Sequence, residues 1–406
     1  MNRATLYGVT VCPPGRHAPG RTYAERVIRP LRDVPARPDL LLPALAAALT
    51  GAGPAVAPGP AGPVPGDVGD DVAAVVRTSG STGEPRGVLL SATALRASAA
   101  ATHDRLGGPG HWLLALPTDH VAGLQVLVRS VLAGTAPTVV APGPFRAATF
   151  VAAVGAMPAD GPRYTSLVPT QLVRLLADDA ATDALRSFGS VLLGGAASAP
   201  DLLARARDAG VEVVTTYGMT ETCGGCVYDG TPLHGVSVRL DDEGRILLAG
   251  PVLADGYLGR PDLDADAFVQ VDGVRYLRTS DLGSWSDGVL RVLGRADDVL
   301  LSGGANVPPG PVEAVVAALP GVAEVCVVGV PDAEWGQAVV AVVVGRAGTP
   351  APTLHEVRAA VTDRLGAAHA PRHLVVTDSL PVRGPGKIDR RAATQLATRH
   401  LERNPT

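Results

Sequence analysis

The sequence predicts a mixed fold, with α/β layers through Leu240, a β-rich stretch after it and a small α+β unit at the end. Three observations predict it. Apolar runs at 71–77, 113–116, 164–169 and 211–215 read as buried strands, and helical spacing follows in 124–132, 170–176 and 201–209. Beyond Leu240 the pattern shortens to Ile246 to Ala249, Val274 to Leu277 and Val289 to Leu293, with a tight turn at Asp287-Gly288. Past Val299, helices at 311–318 and 354–365 alternate with strands at 325–330, 339–344 and 373–377.

A chain of 406 residues is too long for one ordinary core, so two domains, or one with a satellite, are expected. Hydrophobic residues make up 46% but aromatics only 3%, so the cores must be built from Ala, Val and Leu. A net charge of −4 offers no basic field and argues against a nucleic-acid partner. No window reaches the roughly 18 apolar residues of a membrane span, and Met1 to Thr10 has no sustained apolar run, so a cytoplasmic protein is expected. A homodimer is compatible with the sequence, which does not fix the assembly.

The four cysteines are too few and too scattered for a disulfide framework. Cys223-Gly-Gly-Cys226 has redox or metal spacing but no second pair, and a structural role is expected. Of the 35 basic side chains only Lys387 is a lysine; every other is arginine.

In chain order, Tyr23 to Leu31 and Leu40 to Leu49 read as helices and Gly51 to Gly69 as an irregular linker rich in Gly, Pro and Ala. The strand at 71–77 then runs into Thr78-Ser79-Gly80-Ser81-Thr82-Gly83-Glu84-Pro85-Arg86-Gly87. Glycines and hydroxyls after a strand leave backbone N–H groups free for a polyphosphate. The stretch is not a Walker loop, which ends Gly-Lys-Ser/Thr. His120 falls at a strand-to-helix corner, where open α/β sheets hold ligands. Arg129 lies in the helix after it among Val126, Leu127, Val128, Val131 and Leu132, and so apolar a setting calls for an anion or a solvent path.

Residues 78–87 resemble the phosphate-binding signature of the adenylate-forming superfamily, the acyl-CoA synthetases and their relatives: Ser/Thr-Ser-Gly-Thr-Thr-Gly-x-Pro-Lys-Gly, with Arg86 in the lysine position. Tyr217-Gly218-Met219-Thr220-Glu221-Thr222 is similar to the family's second signature. The resemblance implies that Tyr217 packs on adenine beside Gly218, Thr220 meets phosphate and Glu221 helps hold magnesium, a hard cation that suits oxygen ligands. Thr279-Ser280-Asp281 resembles the Thr-Gly-Asp motif, with Asp281 implied on the ribose hydroxyls. Gly294-Arg295-Ala296-Asp297-Asp298 resembles the hinge, which implies Arg295 at the nucleotide and Asp297 as pivot. Gly386-Lys387-Ile388 resembles the C-terminal catalytic loop, so the single lysine falls where the family does chemistry.

The implied architecture is a large N-terminal domain of parallel α/β layers with a small β-rich subdomain (1–294, of which 1–70 form an abbreviated first subdomain), a hinge at 295–298 and a small mobile α+β domain at 299–406. Thr165-Ser-Leu-Val-Pro-Thr-Gln-Leu172 and Val191-Leu-Leu-Gly-Gly-Ala-Ala197 resemble the o-succinylbenzoate:CoA ligase branch, and Gly195 and Ala196 fit its adenine-side loop. The resemblance implies ATP, Mg2+ and coenzyme A, an acyl-adenylate made from a small carboxylic acid, and then a thioester, in menaquinone biosynthesis. His120 is expected at the acyl pocket and in catalysis, and Arg129, with Ser166 and Thr222, at the acid's second carboxylate. One rival is an adenylating enzyme that loads a carrier-protein pantetheine; another is a nucleotide-binding protein without catalysis.

Overall fold

The computed structural model describes residues 28–59, 66–79, 85–383 and 387–403, with Ser79, Pro85, Arg383 and Lys387 described at the backbone. Two sheets make the body. The first has six strands, in spatial order Asp67–Gly69, Ile28–Val34, Ala55–Pro58, Val72–Ser79, Pro85–Ser91 and Gly256–Tyr257. Ile28–Val34, Ala55–Pro58 and Val72–Ser79 are parallel, and Val72–Ser79 and Pro85–Ser91 form an antiparallel pair. The two strands of this pair flank residues 80–84, with Ser79 opposite Pro85.

The second sheet has seven strands, in spatial order Thr231–Pro232, Gly224–Tyr228, Val213–Met219, Ser190–Leu193, Arg163–Leu167, His111–Leu114 and Thr138–Val139. The last five are parallel. Val191, Leu192 and Leu193 are buried throughout, as strands covered by helices on both faces must be. Between the two sheets lie the helices Pro38–Thr50, Ala92–Leu106 and Val121–Ala133, which put Leu41, Leu45, Leu95, Leu124 and Leu127 into one core with Trp112 and Tyr164. Ser91 caps the second of these by accepting from Ala94 N at 3.2 Å. The helices Ala147–Gly155, Pro169–Leu175, Asp179–Arg186 and Pro200–Asp208 cover the other face of the seven-stranded sheet around Phe150 and Phe188.

Two expectations fail here. Residues 28–31, assigned to a helix, begin the strand Ile28–Val34, and the stretch 51–69, read as a linker, contains two strands, Ala55–Pro58 being wholly buried. Pro30 inside 23–31 is poorly tolerated in a helix, and Ala55-Val-Ala-Pro has too little β-branched content to mark a strand by itself. Neighbours on both sides supply that definition.

The β-rich part is an antiparallel sheet built around the long strand Val274–Ser286, which turns at Asp287-Gly288 (φ 53° and 78°) into Val289–Arg295. A 3-10 turn, Ala296–Asp298, leads to the last unit. There Val322–Asp332 and Gly336–Gly345 pair over most of their length, His373–Thr377 adds in parallel, and the helices Pro309–Ala317, Leu354–Leu365 and Arg390–Arg403 pack against them. Among the described residues no strand pairing crosses the 3-10 turn. A small hairpin, Val382–Arg383 with Lys387–Ile388, stands apart. Among the described residues no helix is long and apolar enough to cross a membrane.

Candidate active site

The strand Val213–Met219 carries Tyr217 and Gly218 into the 3-10 turn Thr220–Thr222. Backbone geometry demands the glycine: a Cβ at Gly218 would stand 2.2 Å from Gly224 O. The Thr222 hydroxyl closes the turn, accepting from Met219 N at 2.9 Å and donating toward Gly224 O at 2.7 Å. Cys223 O accepts from Ser98 Oγ at 3.0 Å and Gln125 Nε2 at 2.8 Å, so two helices of the central layer fix the turn from beneath.

Two carboxylates flank this turn. Tyr217 Oη donates to Asp281 Oδ2 at 2.8 Å, and Asp281 lies opposite Arg295 in the strand register. Burial raises the Asp281 carboxyl above its usual range, while the Tyr217 hydrogen bond and the Arg295 charge oppose the rise. The Tyr217 phenol is pushed well up by burial and then by Asp281, so it stays a donor. Glu221 faces the other way and accepts from Tyr257 Oη through Oε1 at 2.9 Å. Burial, then Glu221, raises the Tyr257 phenol, and the charge of Arg86 pulls against them. Arg86 sits opposite Thr78 near the end of the pair Val72–Ser79 and Pro85–Ser91, so the base of the phosphate loop, Tyr257 and Glu221 meet in one place. Gly80, Ser81, Thr82 and Gly83 lie outside the described residues.

Among the described residues no three His, Cys, Asp or Glu side chains gather as a metal cage. Glu221 keeps Oε2 without a partner among those residues. A carboxylate oxygen without a partner among the described residues, close to Arg86, fits magnesium, which is commonly held by one or two carboxylates together with substrate phosphates and water.

At the strand-to-helix corner, His120 is exposed and is the residue before the helix Val121–Ala133. A Cβ on Gly123 would come 2.1 Å from Pro117 O, so only glycine lets the helix start this close to the strand end. Ser166 is buried in Arg163–Leu167, and Gly195 (φ 80°) and Ala196 form an exposed turn after Ser190–Leu193. Lys387 starts the second strand of the small hairpin, and Asp297 lies in the 3-10 turn, bound by both oxygens to Arg295 at 3.0 and 2.7 Å.

Two expected substrate residues, Thr222 and Arg129, are buried. The Thr222 hydroxyl is consumed by its own turn and the residue is fully buried. Arg129 is 3% exposed and lies nine residues from His120, about 13.5 Å along the helix. Its guanidinium stacks over the Trp112 ring at 4.8 Å and reaches Tyr228 Oη at 3.4 Å. An indole face and a phenol surround the guanidinium, and its Nε is buried without a hydrogen-bond partner among the described residues. His103 beside it is lowered to about 4, by burial first and then by the Arg129 charge.

Cys223 and Cys226 point into different cores. Burial raises both thiols, Cys226 to about 12, so neither is a ready thiolate. Tyr257 was not legible in the sequence, because Asp255-Gly-Tyr257 lies 36 residues from Glu221 and has no pattern of its own.

Residues 39–258 match the family model of AMP-binding enzymes, and residues 311–387 match that of the AMP-binding enzyme C-terminal domain. The chain belongs to the AMP-binding enzyme family. Within it, a probable 2-succinylbenzoate–CoA ligase of Mycobacterium tuberculosis is 48% identical over 366 residues, 87% of this chain and 94% of that one. A 2-succinylbenzoate–CoA ligase of Enterococcus faecalis is 31% identical over 79% of this chain and 68% of its own. Among solved structures, the o-succinylbenzoate CoA synthetase of Bacillus subtilis in complex with its acyl-adenylate intermediate superposes with a TM-score of 0.67 at 30% identity, over 79% of this chain and 69% of that one. ATP-bound MatB from Rhodopseudomonas palustris superposes at 0.70 and 27% identity, over 80% and 68%.

Proposed function

We propose that this protein is an ATP-dependent 2-succinylbenzoate:CoA ligase acting in the cytoplasm, where ATP and coenzyme A are at hand. The observation that carries the reading is the convergence of three separate segments on one place: Arg86 beside the phosphate loop, Tyr217 with Asp281, and Glu221 with Tyr257. Kinship to ligases named for that acid supports the choice of substrate.

In the first half-reaction the substrate carboxylate attacks the α-phosphorus of ATP, forming a P–O bond as the bond to pyrophosphate breaks. An anion must approach a polyanion, so charge neutralisation is the main task. Arg86 and the loop N–H groups take the phosphates, Asp281 accepts from the ribose hydroxyls beside Tyr217 and Arg295, and Lys387 neutralises charge at the α-phosphate. Magnesium, when bound, neutralises phosphate oxygens, and Glu221 would hold it. His120 and Ser166 line the acid side. In the second half the thiolate of coenzyme A attacks the acyl carbon and AMP leaves. The C-terminal unit turns about Asp297 between the halves. No protein nucleophile is needed.

The test is pyrophosphate release with 2-succinylbenzoate, benzoate and malonate, followed by thioester formation with coenzyme A or a pantetheinyl carrier protein. A clear preference for 2-succinylbenzoate and for coenzyme A is expected. Equal rates on benzoate would overturn the substrate assignment, and preference for the carrier would overturn the acceptor.

A further inference from the structure

The segment 254–258, just after the β-rich sheet begins to form, enters the reading above only through Tyr257, yet each of its five residues is tied to the site. Ala254 N donates to Glu221 O at 2.8 Å, and Asp255 N donates to Leu89 O at 2.9 Å. Gly256 and Tyr257 pair with Leu89 and Val88, and Leu258 N donates to Gly87 O at 2.8 Å. This strap joins the strand leaving the phosphate loop to the backbone of Glu221. Its own anchor is Asp264, whose Oδ1 accepts from Tyr257 N at 2.7 Å. The Tyr257 ring is 6% exposed and packs on Phe268 at 6.1 Å between centroids, and Arg275 stacks over Phe268 at 3.9 Å. Backbone and ring are both fixed, so the phenol oxygen has a fixed position, 2.9 Å from Glu221 Oε1.

We infer that Tyr257 is a positioning residue that aims Oε2 of Glu221, the oxygen it leaves without a partner among the described residues, at a phosphate-bound divalent cation. The inference rests on the assignment of Glu221 as the metal-holding carboxylate. Magnesium demands near-ideal octahedral geometry, and a carboxylate on an unrestrained side chain rotates between one-oxygen and two-oxygen approach. A hydrogen bond to Oε1 from a rigid donor removes that freedom and leaves one oxygen to the metal. Loss of such outer partners typically costs about 10–100-fold in metal affinity or activity. The strap adds a second consequence: the same five residues set the distance between Glu221 and the strand behind the phosphate loop, so cation and phosphates are positioned by one element.

The experiment compares Tyr257→Phe, which keeps the packed ring and removes one oxygen, with Glu221→Gln. Two readouts are taken: Mn2+ affinity of the enzyme with a non-hydrolysable ATP analogue, by electron paramagnetic resonance, and the Mg2+ dependence of ATP–pyrophosphate exchange. Tyr257→Phe should weaken Mn2+ binding roughly tenfold or more and shift the Mg2+ curve upward, with an unchanged melting profile and an unchanged KM for the acid. The double variant should be no worse than Glu221→Gln alone, because the phenol acts through the carboxylate. If Glu221→Gln shifts both metal readouts while Tyr257→Phe shifts neither, the inference is overturned and the Glu221 assignment stands. If neither variant moves them, the Glu221 assignment falls and the inference falls with it.

Discussion

Arg390 grips Glu313 with both terminal nitrogens, Nη1 to Oε1 at 2.7 Å and Nη2 to Oε2 at 2.9 Å. Its Nε meets Asp298 Oδ2 at 3.2 Å, and Nη1 also donates to Val327 O at 2.8 Å. One side chain thus joins the 3-10 turn, the helix Pro309–Ala317 and the strand Val322–Asp332. Lys387 lies three residues earlier, on a hairpin closed at its base by Asp389 N donating to Pro381 O at 2.8 Å. Arg390→Gln is expected to destabilise the C-terminal unit by about 1.5–3 kcal/mol, the range for hydrogen bonds to charged groups. Arg390→Lys should recover only part, because an ammonium cannot reproduce the two-pronged grip. Urea unfolding beside adenylation rates checks both.

Lys387→Ala should reduce adenylation by about 10²–10³, the loss typical of one charge-stabilising donor. Thioester formation from supplied acyl-adenylate should remain nearly intact. Asp297→Pro should do the reverse, since it removes the pair with Arg295 and fixes φ near roughly −65° at the turn. Equal loss of both halves in folded Lys387→Ala would refute the division of labour.

Arg129 should behave as part of the scaffold. Arg129→Ala leaves a cavity beside Trp112 and takes a partner from Tyr228, and is expected to lower stability by about 2–5 kcal/mol. The activity lost should be the same factor for 2-succinylbenzoate and for benzoate. Arg129→Met fills the space without a buried charge and should be close to neutral. A selective loss on the dicarboxylate would return Arg129 to the pocket.

Asp281 sets function against stability. Its folded-state carboxyl titrates above the unfolded value of about 3.9, so the folded state holds its proton more tightly. That stabilisation is fully present below pH ~4 and is lost as pH rises through the folded value. At neutral pH the ionised group is a net cost. Asp281→Asn should therefore match or exceed the parent's stability at pH 7, with its advantage growing from about pH 4 upward, while ATP binding weakens. Thermal melts from pH 4 to 8 together with nucleotide titration test this; a less stable variant at pH 7 contradicts the sign.

The family was legible in the sequence where a pattern is carried by consecutive residues. Thr78 to Gly87, Tyr217 to Thr222 and Arg295 to Asp298 each need a fixed local run of hydroxyls, glycines or charges, and such runs survive as text. What stayed hidden depends on neighbours distant in the chain. Ala55–Pro58 is a strand because strands lie on both sides of it. Arg129 looked in need of an anion because its indole and phenol partners come from other elements, 17 and 99 residues away. Tyr257 looked ordinary because its partner is a side chain on another element.

The hairpin that carries Lys387 has a further use. Val382 and Ile388 face each other across it, 59% and 36% exposed, so this end of the molecule is open to reagents. Because the chain contains a single lysine, it has one ε-amine, and only the terminal amine competes for reductive methylation. A 13C-labelled dimethyl tag would give a single side-chain resonance on this hairpin of the C-terminal unit. Its chemical shift and linewidth would test whether that unit turns between the half-reactions, as proposed, without any engineered label site.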